Sequence, residues 1–463
     1  MPLAFTRWSP HIGTGKRITL RSILVPGLPV AILFFCAGFN YAYVNWVSPT
    51  WSYLGLTYNF PDLGLMFIGY ILAIVVSLLS PRRITRPSQV IYWFCFFAVY
   101  VPGLFIPLYM QLENGFSLLL LQLCLAGGML LIALSYKLPR FRIRPYPVNG
   151  RMFWMFFFPV FIMANVALVY AFRGMLHLAS LGDVYAVRTP AKHVLDSNPA
   201  ISYISQFLAI VMNPLLMGYG LATRKRSLFV LGAIGEILLY STAAVKQQLV
   251  APVTVLLFYY SLKKDRGGWV PMMAIFLTGM FFVLTTVAMG LHPGPIYNIA
   301  SLLLVRTFTI PGSEMAEYQH FFSTMPHTYL AHVTGINQLI PNPYKLSMGE
   351  EVASFYGQIG EYGLTNANAS FFAMDGIGGF GLGGILIMGV LCAIVFWVLD
   401  SCARDYELKF SVPVLAMVIM SLTNVSLFTT LLGNGLIAWI LLFLTMPREL
   451  RTAKHTTASI APV

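Results

Sequence analysis

The chain has 463 residues, 58% of them hydrophobic and 10% charged, with a mean hydropathy of +0.74. So much apolar surface cannot be hidden in one soluble core, and lipid must be the solvent. The formal net charge of +13 invites nucleic acid as a partner, but basic residues that bind phosphate backbones form a stripe on a soluble module; here they stand in short gaps between apolar runs, which excludes that reading.

At the N-terminus Arg7, Lys16, Arg17 and Arg21 precede an apolar segment too long for a signal-peptide core, with no small-residue cleavage site, so it reads as an uncleaved first span. Allowing about 20 apolar residues per crossing, spans are predicted at 23–47, 62–80, 90–110, 116–136, 153–172, 201–222, 227–244, 249–262, 269–291, 380–399, 410–428 and 430–446. This is an all-α polytopic fold of about twelve transmembrane helices, with residues 1–463 forming a single membrane domain. The five cysteines fall inside apolar runs or beside a basic gap and suggest no disulfide framework. Trp46, Trp51, Trp93, Trp154 and Trp269 fall near span ends and read as interfacial anchors.

With a cytoplasmic N-terminus, alternate gaps collect 23 of the 29 Lys and Arg on one side. The positive-inside rule then fixes the orientation and places both termini in the cytoplasm. Eleven of the 16 acidic residues lie outside or within spans. Two outer loops are long, 173–200 and 292–379, and loops of that length are functional or disordered. The second is rich in Phe, Tyr, His, Pro and Gly, so it is expected to fold, with short helices along the membrane.

Six basic residues remain for the outer side: Arg173, Arg188, Lys192, Lys246, Arg306 and Lys345. Lys246 sits at a predicted tight turn between two short spans, where a buried ammonium is costly without an anion. Glu236, one helix away, or a side chain reaching to headgroup level would satisfy it without any function. Arg188 ends the run DVYAVR (183–188) and Arg306 lies at the start of VRTFTIPGSEMAEYQHFF (305–322). Guanidinium forks suit bidentate binding of phosphate oxygens; the plain alternative is headgroup-level arginines paired with Asp183 or Glu314. Six of the eight histidines are also outer, including His327 and His332. Their spacing fits no zinc motif, so neither metal nor cofactor is expected, and a histidine or carboxylate acting as general base fits better. GIGGFG (376–381) matches a dinucleotide fingerprint literally, but it leads into a span rather than joining a strand to a soluble helix. Gly379 and Gly383 are instead expected to let helices approach closely.

Four runs, taken in order, resemble the bacterial oligosaccharide repeat-unit polymerases of the Wzy type, which polymerise O-antigen and exopolysaccharide. They are LASLGDVYAVR (178–188), STAAVKQQLVAPVTVLLFYY (241–260), VRTFTIPGSEMAEYQHFFSTMPHTYLAHV (305–333) and NANASFFAMDGIGGFGLGG (366–384). The resemblance implies an integral-membrane glycosyltransferase of the bacterial inner membrane, working at its periplasmic face on undecaprenyl-pyrophosphate-linked oligosaccharides as donor and acceptor. A chain-length-regulating co-polymerase is an implied partner. It further implies Arg188, Lys246 and Arg306 on the pyrophosphate, His327, His332 or Glu317 activating the acceptor hydroxyl, and Asn366, Asn368 and Asp375 orienting sugars. The third run has LAHV where a serine beside the histidine would be expected. Two rivals stand: an O-antigen ligase, separable on lipopolysaccharide gels, and a transporter or flippase of lipid-linked saccharide, which would need charges lining a path through several spans.

Overall fold

The structure is a computed structural model that describes residues 27–141, 143, 146, 148–178, 184–262, 268–290, 294–360 and 363–447. Among them nine helices are long and apolar enough to cross a membrane: Leu28–Leu54, Pro87–Met110, Gly115–Ser135, Gly150–Ala171, Pro199–Ala222, Arg226–Ala243, Trp269–Met289, Leu382–Cys402 and Leu427–Thr445. The chain is thus a polytopic helical membrane protein. The apolar flank of Gly150–Ala171, with Phe156, Ile162 and Val166 exposed, has only lipid to cover it.

Three predicted spans take another form. Residues 62–80 make the shorter apolar helix Leu63–Leu79. Residues 249–262 belong to Lys246–Leu262, so Lys246 opens a helix instead of sitting in the turn before one. Residues 410–428 are broken into Leu408–Val414 and Ala416–Leu422. Pro413 accounts for the break, since it removes a ladder donor and crowds the preceding turn. A small hairpin, Ile359–Gly360 against Gly363–Leu364, lies in the long loop.

Five segments among the described residues widen into π-helix: Tyr43–Val47, Phe96–Tyr100, Leu208–Met212, Ser301–Thr309 and Phe372–Ile377. The first four each end two residues before a proline: Pro49, Pro102, Pro214 and Pro311. A proline cannot donate, and its ring displaces the carbonyl four residues back; a wider turn just upstream relieves the clash while the helix continues.

Hydrogen bonds between loops define the two ends of the bundle. At one end Asn59 donates to the Tyr109 carbonyl, Gln111 to Phe60 and Gln319 to Ser117. At the other, Arg86 donates to the carbonyls of Tyr136 and Leu138, Trp397 to Pro139, and Ser88 to Asp400. The long loop folds onto the first end. Its longest helical stretch, Pro295–Ala300, Ser301–Thr309 and Ile310–Thr324, runs on without a break and packs along Val101–Met110.

Of the two glycines expected to permit close approach, Gly379 stands at one, a β-carbon there lying 3.2 Å from the Leu330 side chain, while Leu382–Cys402 meets its neighbours most closely at other glycines. Gly383 faces open space, whereas a β-carbon on Gly384 would collide with the Gly376 carbonyl and one on Gly389 would stand 2.8 Å from Gly128 Cα. The tryptophans depart from expectation too. Trp93 is fully buried and donates to the Pro81 carbonyl, and Trp46 and Trp269 are buried, so these three pack inside the protein and are not headgroup anchors. Gly389→Val should cost about 1–3 kcal/mol through overpacking against backbone that cannot yield, and should lower the thermal midpoint of the purified protein in detergent. Gly383→Ala should leave it unchanged. Equal midpoints for the two variants would contradict the packing.

Candidate functional site

Ile310–Thr324 is held from several sides at the loop-rich end. The Tyr318 hydroxyl donates to the Ala367 carbonyl at 2.7 Å, Gln319 donates to Ser117, and His320 Nδ1 lies 3.0 Å from Glu113 Oε1. At Gly312 a β-carbon would stand 2.7 Å from the Pro102 carbonyl oxygen, so only glycine permits this depth of packing. The helix thereby presents two carboxyls three residues apart, hence on one face: Glu314 and Glu317, 4% and 3% exposed.

Their surroundings set them apart. Burial holds Glu314 well above the usual carboxylate range; Arg306 opposes this, Glu317 reinforces it, and the Ala369 amide, which donates to Glu314 Oε2, opposes it. Burial likewise pushes Glu317 up to about 7, against the Gln358 amide that donates to its Oε1 at 2.7 Å. Both carboxyls are therefore held above the ordinary carboxylate range, and Glu317 sits near half-ionisation at neutral pH. Two titratable groups whose environments differ in this way can divide acid and base roles. Arg306, on the helical stretch just before them, is exposed, so a cation stands in solvent beside the pair.

The backbone that delivers the Ala369 amide is strained. Ser370 has φ +91°, and its buried hydroxyl has no hydrogen-bond partner among the described residues. Such a conformation costs roughly 1–3 kcal/mol and persists where surrounding structure enforces it. Asn366, exposed, and Asn368, half-buried, stand on this same segment, which brings them to the carboxyl pair.

His332 and Asp375 are brought into contact with each other. The His332 Nε2 lies 3.1 Å from Asp375 Oδ1 and its Nδ1 lies 3.0 Å from Thr328 Oγ1. Asp375 Oδ2 accepts from the Leu427 amide at 2.6 Å. Burial raises Asp375 above its ordinary range, while His332, the Leu427 amide and Ser426 pull the other way. Both ring nitrogens of His332 are thus engaged, and the Asp375 carboxyl is fully buried. The two join the loop at 328–332, the π-turn Phe372–Ile377 and the start of Leu427–Thr445. His327 is half-buried, stacked on Phe322 with centroids 5.5 Å apart. Burial lowers its pKa, with the Ile377 backbone opposing, so it is a neutral imidazole at neutral pH.

Of the three cations assigned to pyrophosphate, Arg306 acts electrostatically on Glu314. Arg188 is exposed on Val184–Ser197, a helix that packs on Arg226–Ala243. Lys246 is half-buried, and Gln247 beside it donates to the Met417 carbonyl at 3.3 Å. Glu236 does not neutralise Lys246: none of the three ion pairs among the described residues contains either. Asp183, the other suggested partner, lies outside the described residues. Glu314 entered the sequence reading only as a partner for Arg306; its spacing of three from Glu317 was the signal that marked it as half of a pair. Among the described residues no three His, Cys, Asp or Glu side chains gather to hold a metal ion.

Comparison with protein-family models, with curated proteins and with solved structures finds no match to this chain.

Because folding raises the Glu317 pKa from 4.5 to about 7, the folded state holds that proton more tightly than the unfolded state does. This contribution to stability is complete below pH 4.5 and is lost as pH rises through about 7. Glu317→Gln should therefore flatten the fall in thermal midpoint between those limits; a slope as steep as in the parent protein would contradict the assignment. Asp375→Ala leaves His332 and the Leu427 amide without their acceptor. By analogy with a broken buried pair it should cost roughly 3–5 kcal/mol and expose the loop near residue 330 to protease, whereas protection equal to the parent would contradict the joint.

Proposed function

We propose that the chain is an integral-membrane glycosyltransferase that polymerises polyprenyl-pyrophosphate-linked oligosaccharide repeat units. In this reading it crosses the bacterial inner membrane about twelve times, with both termini cytoplasmic and the loop-rich end facing the periplasm. The observation that carries it is the juxtaposition of exposed Arg306 with a buried carboxyl pair, of which Glu317 is tuned to about 7. The four sequence runs similar to repeat-unit polymerases support it independently.

The chemistry follows from the leaving group. As the bond from the donor's anomeric carbon to the pyrophosphate oxygen breaks, negative charge grows on that oxygen, and Arg306, aided by Arg188 and Lys246, stabilises it. A preorganised cation is most effective where charge develops. The acceptor hydroxyl oxygen forms the new bond to the anomeric carbon, and its proton passes to Glu317. A base is most useful when its pKa lies near the working pH. Glu314, raised well above the usual carboxylate range, holds its proton more readily than an ordinary carboxyl and so limits negative charge beside the departing pyrophosphate. Asn366 and Asn368 supply amides to orient sugars on the strand of chain that holds Glu314. His327, the other base candidate, is a neutral ring beside the aromatic Phe322 and Tyr329, suited to the face of a sugar.

The direct test incubates the purified protein with synthetic polyprenyl-pyrophosphate repeat units and resolves the products. A ladder of joined units is expected, and Arg306→Ala should slow its formation roughly 10²-fold, by analogy with loss of one oxyanion donor. Arg188→Ala should act in the same direction in cells, shortening the polymer made by a complemented deletion strain. Absence of a ladder together with movement of the lipid-linked units across liposomes would overturn the enzyme reading in favour of a transporter. Transfer of finished polymer to a lipid A core would replace it with a ligase.

A further inference from the structure

Well inside the bundle, away from the carboxyl pair, two polar side chains stand in apolar surroundings with only each other at hand. Glu236 is 0% exposed, and neither of its carboxyl oxygens has a hydrogen-bond partner among the described residues beyond the Asn213 amide. Asn213 is also 0% exposed, and its amide has no neighbour to bond among the described residues except the Glu236 carboxyl. The two adjoin: a β-carbon on Gly235 would collide with Asn213 Oδ1, so glycine at that position admits the amide against the helical turn that carries Glu236. Buried polar groups are satisfied in the great majority of cases, and a buried carboxyl with only an amide beside it has room for one further ligand.

The depth of the pair says what that is. Glu236 lies ten residues beyond the start of Arg226–Ala243, about 15 Å along the helix, and so about midway through an apolar layer roughly 30 Å thick. At that depth an ionised carboxylate is costly without a cation. The cations on the elements packed against this helix are Lys246, which opens Lys246–Leu262, and Arg188 and Lys192 of Val184–Ser197; that last helix also carries His193 and Asp196. Pro199–Ala222 brings only tyrosines, Tyr203 and Tyr219; Lys246–Leu262 adds Tyr259 and Tyr260, and the helix itself adds Arg226 and Tyr240. Neither Glu236 oxygen is bonded to any of them. A proton is the cation that this space admits without further oxygen ligands.

The backbone around Asn213 is adapted to the same place. Asn213 follows directly on the π-turn Leu208–Met212, and the Ile210 carbonyl in that turn is taken up by Trp439 Nε1 at 3.0 Å. π-turns of this kind recur at functional sites. An amide is also a fitting neighbour for a group that changes state: its carbonyl accepts from a carboxylic O–H, and its NH2 donates to a carboxylate.

We propose that Glu236 and Asn213 form an exchangeable proton-binding site at mid-depth in the membrane, distinct from the transfer chemistry at the loop-rich end. Glu236 carries the proton as a neutral carboxylic acid, and the Asn213 amide stabilises the carboxylate left when the proton departs.

Dicyclohexylcarbodiimide tests this, because it partitions into apolar regions and adds only protonated carboxyls, giving a stable acylurea. The full-length protein, purified into lipid nanodiscs, is treated over a range of pH and the adduct mapped by mass spectrometry. The expected result is modification at Glu236 whose rate falls about tenfold per pH unit above the titration point and is lost in Glu236→Gln. In Asn213→Leu, which removes the group that stabilises the anion, labelling should persist to higher pH. Gel filtration and helical circular dichroism verify that both variants are folded, and Asn213→Asp, expected to ionise with Glu236 opposed to it, serves as a second variant if Asn213→Leu does not fold. No labelling at any pH, or labelling at a rate independent of pH, would overturn the site as an exchangeable one. Protection by sodium ions at fixed pH would overturn the proton as its ligand.

Discussion

The Asp375 carboxyl has both oxygens filled from parts of the chain that are remote in sequence, and the arrangement at the loop-rich end depends on it. One oxygen meets His332 and the other meets the Leu427 amide. The loop that carries His332, the π-turn that carries Asp375 and the helix that begins at Leu427 are thereby pinned at one point. Thr328 extends the junction, giving its hydroxyl to the Gly378 carbonyl while lying against the other His332 nitrogen. In an apolar setting a charge or donor left over is expensive, so these groups hold each other in place because each would otherwise be unsatisfied. The joint fixes the segments against which the neighbouring helix, Ile310–Thr324, presents its carboxyls.

That helix owes its depth to small residues and its exposure to none. Gly312 lets it lie against the Pro102 carbonyl, and Tyr318 and Gln319 fasten it to Ala367 and Ser117. The carboxyls of Glu314 and Glu317 are consequently buried without a cationic partner in contact, which is what shifts both upward. Ser370 holds a left-handed conformation so that the preceding amide can reach Glu314. Strain placed in the backbone here and burial imposed on two acids run against stability, and both converge on the region where exposed Arg306 adds a positive charge.

Much of this architecture was legible in the sequence, and the limits of that legibility are physical. Runs of apolar residues locate the spans because lipid leaves the backbone no alternative to helix. The four prolines that stand two residues after π-turns were also visible, and their effect is local. Pro413 shows where locality fails to be noticed, since an apolar run counted as one span is divided there. Burial partners are another matter. Thr328 lies four residues before His332, but nothing in the spacing of His327 and His332 reveals that Asp375 takes the other ring nitrogen, because that is decided by a segment 43 residues away. Gly383 and Gly384 differ by one position, a rotation of about 100° on a helix, and composition cannot tell which faces the neighbour. Arg306 and Glu317 lie on one helical stretch and Asn366 and Asn368 on the segment joined to it through the Ala369 amide and Glu314, while Asp375 and His332 are bonded to each other; which residues share a segment was legible in the sequence, and which side chains meet was not.

The central claim is that the loop-rich end breaks and makes a glycosidic bond with Glu317 as its base. The most direct measurement follows polyprenyl pyrophosphate released by the purified protein from a lipid-linked repeat unit, in step with sugar units joined, for the parent protein and Glu317→Gln across pH 5.5 to 8.5, roughly the range about a base tuned near neutrality. The account predicts one carrier released for each unit joined, a rate in the parent that rises through about pH 7, and a rate in Glu317→Gln that is low and flat while the lipid-linked unit still binds. Release that is undiminished in Glu317→Gln, or a pH profile shared by the two proteins, would contradict it.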